Sequence, residues 1–139
     1  MTQIQRPTGN DEKKKNVLLA DNDHAVRAAL QQALTAEGFN VLPAGSSLEA
    51  LRRVVEHPIV DVALLDLDLG DNQSGWETFR HLAELEPLLP IVVMSAEPER
   101  LCLDSLTLRR PDATFEKPLL NLPFLFETLQ RLTSSPKNN

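Results

Sequence analysis

The 139-residue chain has one cysteine, no tyrosine, one tryptophan and three histidines. A single thiol, Cys102, excludes an internal disulfide and a cysteine-rich metal centre. In the apolar run "RLCLDSL" it reads as a half-buried core thiol. His24, His57 and His81 fall in separate segments without ligand spacing, so no function is assigned to them. Positive charge is also scarce. The net charge is −6, and the only basic cluster, Lys13-Lys14-Lys15, sits in a polar stretch that reads as a solvated tail. This argues against a surface built on nucleic-acid phosphates, which need clustered Lys and Arg. No segment reaches the roughly 18 apolar residues of a membrane span, and the N-terminus lacks the apolar centre of a signal peptide. The expectation is a cytoplasmic protein with no nucleic-acid or membrane partner.

What is present is ordinary for a globular domain: 42% hydrophobic and 24% charged residues. The length suits one domain with a real core. The expected division is a polar tail over residues 1–15, a folded domain over 16–133 and a polar tail over 134–139. The last stretch is too short for a DNA-binding output module. There is no internal repeat.

Along the chain, apolar runs alternate with helical stripes. "NVLLA" is a short strand that stops at Asp21. The next segment has Val26, Leu30, Ala33 and Leu34 at helical spacing, with Gly38 placed to end the helix. "FNVLPA" is a second strand. Ser46 and Ser47 then precede "LEALRRVVEH", whose expected inward stripe is Leu48, Leu51, Val54 and Val55. In "VDVALLD" the run from Val62 to Leu65 is continuously apolar before it ends at Asp66, as a strand covered on both faces would be. "WETFRHLAELEP" predicts a third helix with Phe79, Leu82 and Leu85 inward and Trp76 as its core anchor. "PIVVMSA" is a fourth strand, "PERLCLDSLTLRR" a less regular fourth helix, "ATFEKP" a fifth strand and "NLPFLFETLQRL" a last helix. Five strands alternating with five helices imply right-handed crossovers and a doubly wound parallel sheet.

Ligands of such sheets bind beyond the carboxyl ends of the strands. The strand exits are polar: Asp21-Asn22-Asp23, then Asp66 with Asp68, then Ser95, then Lys117-Pro118. Crowded carboxylates repel unless a cation intervenes. Oxygen donors without His or Cys suit Mg²⁺, and Ser95 and Lys117 are donors suited to phosphoryl oxygens. The set reads as a phosphoryl-transfer site with a carboxylate nucleophile. Helix capping is the plain alternative for Asp21 and Asp23, and for Ser95 ahead of "EPE".

Through "LLADNDHAVR", "DVALLDLDLGDNQSG", "IVVMSA" and "FEKP", the chain from Asn16 to Thr133 resembles the receiver domains of two-component response regulators. The resemblance implies a flavodoxin-like (βα)5 fold with strand order 2-1-3-4-5. It implies that Asp66 accepts a phosphoryl group from the phosphohistidine of a sensor histidine kinase or a histidine phosphotransfer protein. Asp21, Asn22, Asp66 and the backbone carbonyl of Asp68 would hold Mg²⁺. Ser95 would be the switch hydroxyl, Lys117 the phosphoryl-binding cation, and Pro118 a cis proline. Such a domain is not an enzyme in the usual sense, although it assists its own phosphoryl transfer. Without an attached output domain it would signal through protein contacts or phosphorelay. The responsive surface, and that of a homodimer, would be the fourth helix, fifth strand and fifth helix, with Phe124 and Leu120 left for a partner.

Four positions depart from the family pattern. Asn22 replaces the usual second acid, and Gly70 stands where proline is common. The loop to Gly75 is one residue longer than usual. Thr114 occupies the place of the switch aromatic, while the adjacent Phe115 faces the other way. Asn22 and Thr114 favour an alternative: a pseudo-receiver, the same fold used as a phosphorylation-independent interaction module. Intact Asp66, Ser95 and Lys117 argue against it. Asp66-Leu67-Asp68 also resembles the nucleophile motif of haloacid-dehalogenase phosphatases, but it sits in mid-sequence with little chain afterwards.

Overall fold

The computed structural model describes residues 14–56, 59–69, 75–96 and 109–134. In chain order these form β1 (Asn16–Ala20), α1 (His24–Ala36), β2 (Asn40–Ala44), α2 (Ser47–Glu56), β3 (Val62–Asp66), α3 (Gly75–Leu85), β4 (Ile91–Ser95), β5 (Ala113–Glu116) and α4 (Leu122–Ser134). The expected fourth helix, with Cys102, falls largely outside the described residues, as do His57, Gly70 and Lys13.

All five strands pair in parallel, in the order β2-β1-β3-β4-β5. This is the flavodoxin-like order. Side chains of each strand alternate between two clusters, as the period of two demands. Leu18, Ala20, Ala63 and Leu65 join Ala50, Val54, Phe79 and Leu82 from α2 and α3. Val17, Leu19, Val62 and Leu64 join Leu30, Leu34, Leu125 and Leu129 from α1 and α4. Every β3 residue is buried, so the run needed no polar alternation. Each fully buried leucine stabilises the fold by about 2 to 3 kcal/mol relative to an exposed one, and these two layers supply most of the driving force.

Two helical faces differ from the sequence expectation. In α2 the inward residues are Ser47, Ala50 and Val54, with Leu51 half-buried, while Leu48 and Val55 are exposed. This face puts Ala50 and Val54 into the core, and at the start of the helix it meets α3 through a hydroxyl pair: Ser47 Oγ lies 2.6 Å from Thr78 Oγ1, both buried. In α3, Phe79 and Leu82 are buried but Leu85, in the last turn, is exposed. Trp76 is half-buried and meets Phe79 edge to face at 5.4 Å. The start of α3 runs against the β3 exit so closely that a Cβ on Gly75 would collide with the backbone of Leu67.

Candidate functional site

The site is the carboxyl edge of β1, β3, β4 and β5. Asp21 follows β1 directly and is fully buried; Asp66 is the last residue of β3 and is 1% exposed. Lys117 follows β5, after a backbone bond from its N–H to Ser95 O at 2.8 Å. Its ammonium nitrogen reaches both acids, 3.1 Å from Asp21 Oδ2 and 3.0 Å from Asp66 Oδ2. The Lys117–Pro118 peptide bond is cis.

The remaining oxygens of the two carboxylates are held by backbone. Asp21 Oδ1 accepts from Asp23 N–H at 2.9 Å, and Asp66 Oδ1 accepts from Asp68 N–H at 3.0 Å. These are matching turns at two parallel strand exits, each a carboxylate accepting from the residue two positions on.

Burial pushes the Asp66 carboxyl up to about 6, and the Asp21 charge acts in the same direction; the Asp68 N–H and Lys117 oppose them. For Lys117, burial alone would lower the pKa. The hydrogen bonds and charges of Asp66 and Asp21 outweigh it, and the ammonium is held above its ordinary value. Lys117 therefore stays a cation between two acids.

Asn22 and Asp68 are exposed and flank the pair. Asp23 is the N-cap of α1: its Oδ1 accepts from Val26 N–H at 3.1 Å, so the capping alternative holds for this residue. Ser95 ends β4, half-buried, opposite Glu116 in register. Thr114 is exposed, whereas Phe115 is half-buried and packs on the α1–α4 side, its ring 5.5 Å from that of Phe124. Phe124 is 54% exposed and Leu120 88%, while Leu125 and Leu129 are buried.

Among the described residues no three His, Cys, Asp or Glu side chains form a metal-holding group. Two buried carboxylates remain, with Asn22 where a third acid would stand. Mg²⁺ keeps several waters and takes one or two protein carboxylates, so this all-oxygen set fits Mg²⁺ better than a cation needing a full protein cage.

The sequence reading passed over Arg27, whose Nη1 donates to the main-chain oxygen of Asp21 at 2.6 Å. Its position one turn after Asp23 was the available signal, since helical side chains lean back toward the N-terminus.

The family model of the response regulator receiver domain matches residues 17–114. The chain belongs to this family. It is 32% identical over 84 residues to the transcriptional regulatory protein GlrR of Escherichia coli, covering 60% of this chain and 18% of that protein. It is 36% identical over 83 residues to the regulatory protein VirG of Agrobacterium tumefaciens, covering 60% of this chain and 30% of VirG. The match thus spans less than a third of either relative. Solved receiver structures share the fold. A CheY-like receiver domain protein from Methanospirillum hungatei superposes with a TM-score of 0.75 at 24% identity, over 91% of this chain and all of that one. The response regulator TrrA from Thermotoga maritima, solved with Mg²⁺-BeF, gives 0.73 at 24% identity over 85% of this chain and 98% of TrrA. No described helix is long and apolar enough to cross a membrane.

Proposed function

We propose that this receiver domain accepts one phosphoryl group on Asp66, from the phosphohistidine of a sensor histidine kinase or a histidine phosphotransfer protein, in a Mg²⁺-dependent reaction in the cytoplasm. The observation that carries this reading is the Lys117 ammonium held between the Asp21 and Asp66 carboxylates. A carboxylate oxygen of Asp66 attacks phosphorus, the P–N bond breaks, and its electron pair returns to the imidazole of the donor. Lys117 neutralises charge on the acceptor and would follow it onto the phosphoryl oxygens. Asp21, Asn22, Asp66 and the Asp68 carbonyl would hold Mg²⁺, which supplies charge neutralisation at the phosphoryl group when bound. Ser95, tied to Lys117 through the β4–β5 ladder, would turn its hydroxyl toward the new phosphoryl group. Beside Lys117, a largely apolar groove of about 490 Å³ includes Val26, Leu30, Ala96 and Leu119 in its walls, a surface on which a donor protein would rest.

Output would run through protein contacts or phosphorelay. Phe124 and Leu120 are exposed on the face that the resemblance gives to partner or homodimer contacts.

The test is incubation with acetyl phosphate and Mg²⁺, followed by intact-mass measurement. The wild type should gain one phosphoryl group that is stable to acid and labile to alkali, and Asp66→Ala none. Equal labelling of the variant would remove the assignment of Asp66. No labelling from any donor would support the pseudo-receiver, which Thr114 and Asn22 favour.

A further inference from the structure

Asp21 is restrained from every side. Its N–H donates to Ala44 O, at the end of β2, at 3.0 Å. Its two carboxylate oxygens are taken by Asp23 N–H and Lys117. Its carbonyl oxygen accepts the 2.6 Å bond from Arg27, a half-buried side chain of α1 that belongs to no ion pair found among the described residues. A charge-assisted bond this short is among the stronger kinds in proteins.

The guanidinium reaches that carbonyl through space left open at residue 45. A Cβ added to Gly45 would stand 3.1 Å from Arg27 Nη1 and 3.4 Å from its Cζ. Gly45 does not serve backbone freedom, because Gly38 is the one described glycine with a positive φ, at 100°. What it supplies is room for Arg27. The carbonyl that Arg27 grips belongs to the peptide joining Asp21 to Asn22. Fixing this peptide plane restricts backbone rotation on either side of it, at Asp21 and at Asn22, and so narrows where both side chains point.

We propose that Arg27, seated against Gly45, is a positioning residue: it locks the Asp21–Asn22 peptide so that both side chains are preorganised for the divalent cation. This rests on the Mg²⁺ reading of Asp21 and Asn22. A second consequence of Arg27 opposes the first, since its positive charge repels a nearby cation. Groups that orient metal ligands are worth about 10- to 100-fold in affinity, whereas a screened charge at a half-exposed position contributes less, so positioning wins.

Calorimetric titration with Mg²⁺ tests this, below the melting temperature measured for each variant. Arg27→Ala should bind Mg²⁺ about tenfold more weakly than the wild type, the low end of that range. Arg27→Lys keeps the charge and a single donor, and should recover part of the loss. Gly45→Ala keeps Arg27 and its charge but crowds the guanidinium, so it should weaken binding in the same direction. The double variant Gly45→Ala/Arg27→Ala should be no worse than Arg27→Ala alone, because both changes act through one contact. Unchanged or tighter binding by Arg27→Ala overturns the proposal, as do additive losses in the double variant. A wild type that binds no Mg²⁺ removes the metal reading itself, and this inference with it. A lowered melting temperature with unchanged Mg²⁺ affinity would assign Arg27 to the fold alone.

Discussion

Lys117 Nζ sits 3.0 Å from Asp66 Oδ2 although the two residues are 51 positions apart, and the acid it pairs with is almost wholly buried. Pairing and burial oppose one another at Asp66, and burial wins.

The first prediction follows from that balance. The folded-state pKa of Asp66, about 6, lies above the ordinary 3.8. Its contribution to stability is therefore fully present below about pH 4 and lost as pH rises through about 6. At pH 7 the ionised group costs the metal-free fold up to about 3 kcal/mol. Asp66→Asn keeps an oxygen for the Asp68 N–H and removes the charge. It should raise unfolding free energy at pH 7 by about 1 to 3 kcal/mol, and the advantage should shrink as pH falls toward 4. Urea denaturation at several pH values checks this. A less stable variant at pH 7 would mean that the Lys117 pairing outweighs burial.

Asn22 supports a second prediction. Asp23 is committed to capping α1, so it is not a ready substitute for the missing acid. A carboxylate about 4 Å from a unit charge, at an effective dielectric near 20, gains roughly 4 kcal/mol before opposing costs. Desolvation and repulsion from Asp21 and Asp66 should leave about 1 to 2 kcal/mol, or roughly tenfold in affinity. Asn22→Asp should tighten Mg²⁺ binding by that factor and speed phosphorylation at limiting metal, with little change at saturation. Calorimetry on both proteins decides it; equal affinity would place residue 22 away from the cation.

Phe124 provides a surface test. It is 54% exposed and rests on Phe115, a ring contact worth about 0.5 to 1.5 kcal/mol. Phe124→Glu should cost about 1 to 3 kcal/mol in stability, the ring contact plus the covered half of the side chain, while weakening self-association or partner binding. Sedimentation and thermal melting, run with and without acetyl phosphate, separate the two effects. Global unfolding would assign Phe124 to the core instead.

Gly75 carries the last prediction. A Cβ there would meet the Leu67 backbone, which cannot swing aside as a side chain does. Gly75→Ala should shift the start of α3 away from the β3 exit and destabilise the fold by about 1 to 3 kcal/mol, the usual range for overpacking. A denaturation midpoint equal to that of the wild type would contradict the close approach.

Some of this could be read directly from the chain. The unbroken apolar run into Asp66 announced a strand covered on both faces, and β3 is buried at every residue. The polar strand exits announced an edge with chemistry. Those signals are local: each needs only the periodicity of one segment, which the backbone imposes whatever surrounds it. The face of α2 was not legible, because apolar spacing alone admits more than one rotation of a short helix. The observed rotation, with Ala50 and Val54 in the core and Ser47 against Thr78 of α3, leaves Leu48 and Val55 outside.

The site divides in the same way. Asp21, Asp66 and Lys117 could be named one by one, since each ends or follows a strand. Lys117 lies 96 positions from Asp21, and the two meet because parallel pairing brings all the strand exits to one edge. The upward shift of Asp66 depends on how completely neighbouring segments exclude water, and Arg27 on its way to Asp21 lies where a side chain at Gly45 would crowd it. Burial and clearance are properties of packed surfaces contributed by distant segments, so no stretch of the chain contains them by itself.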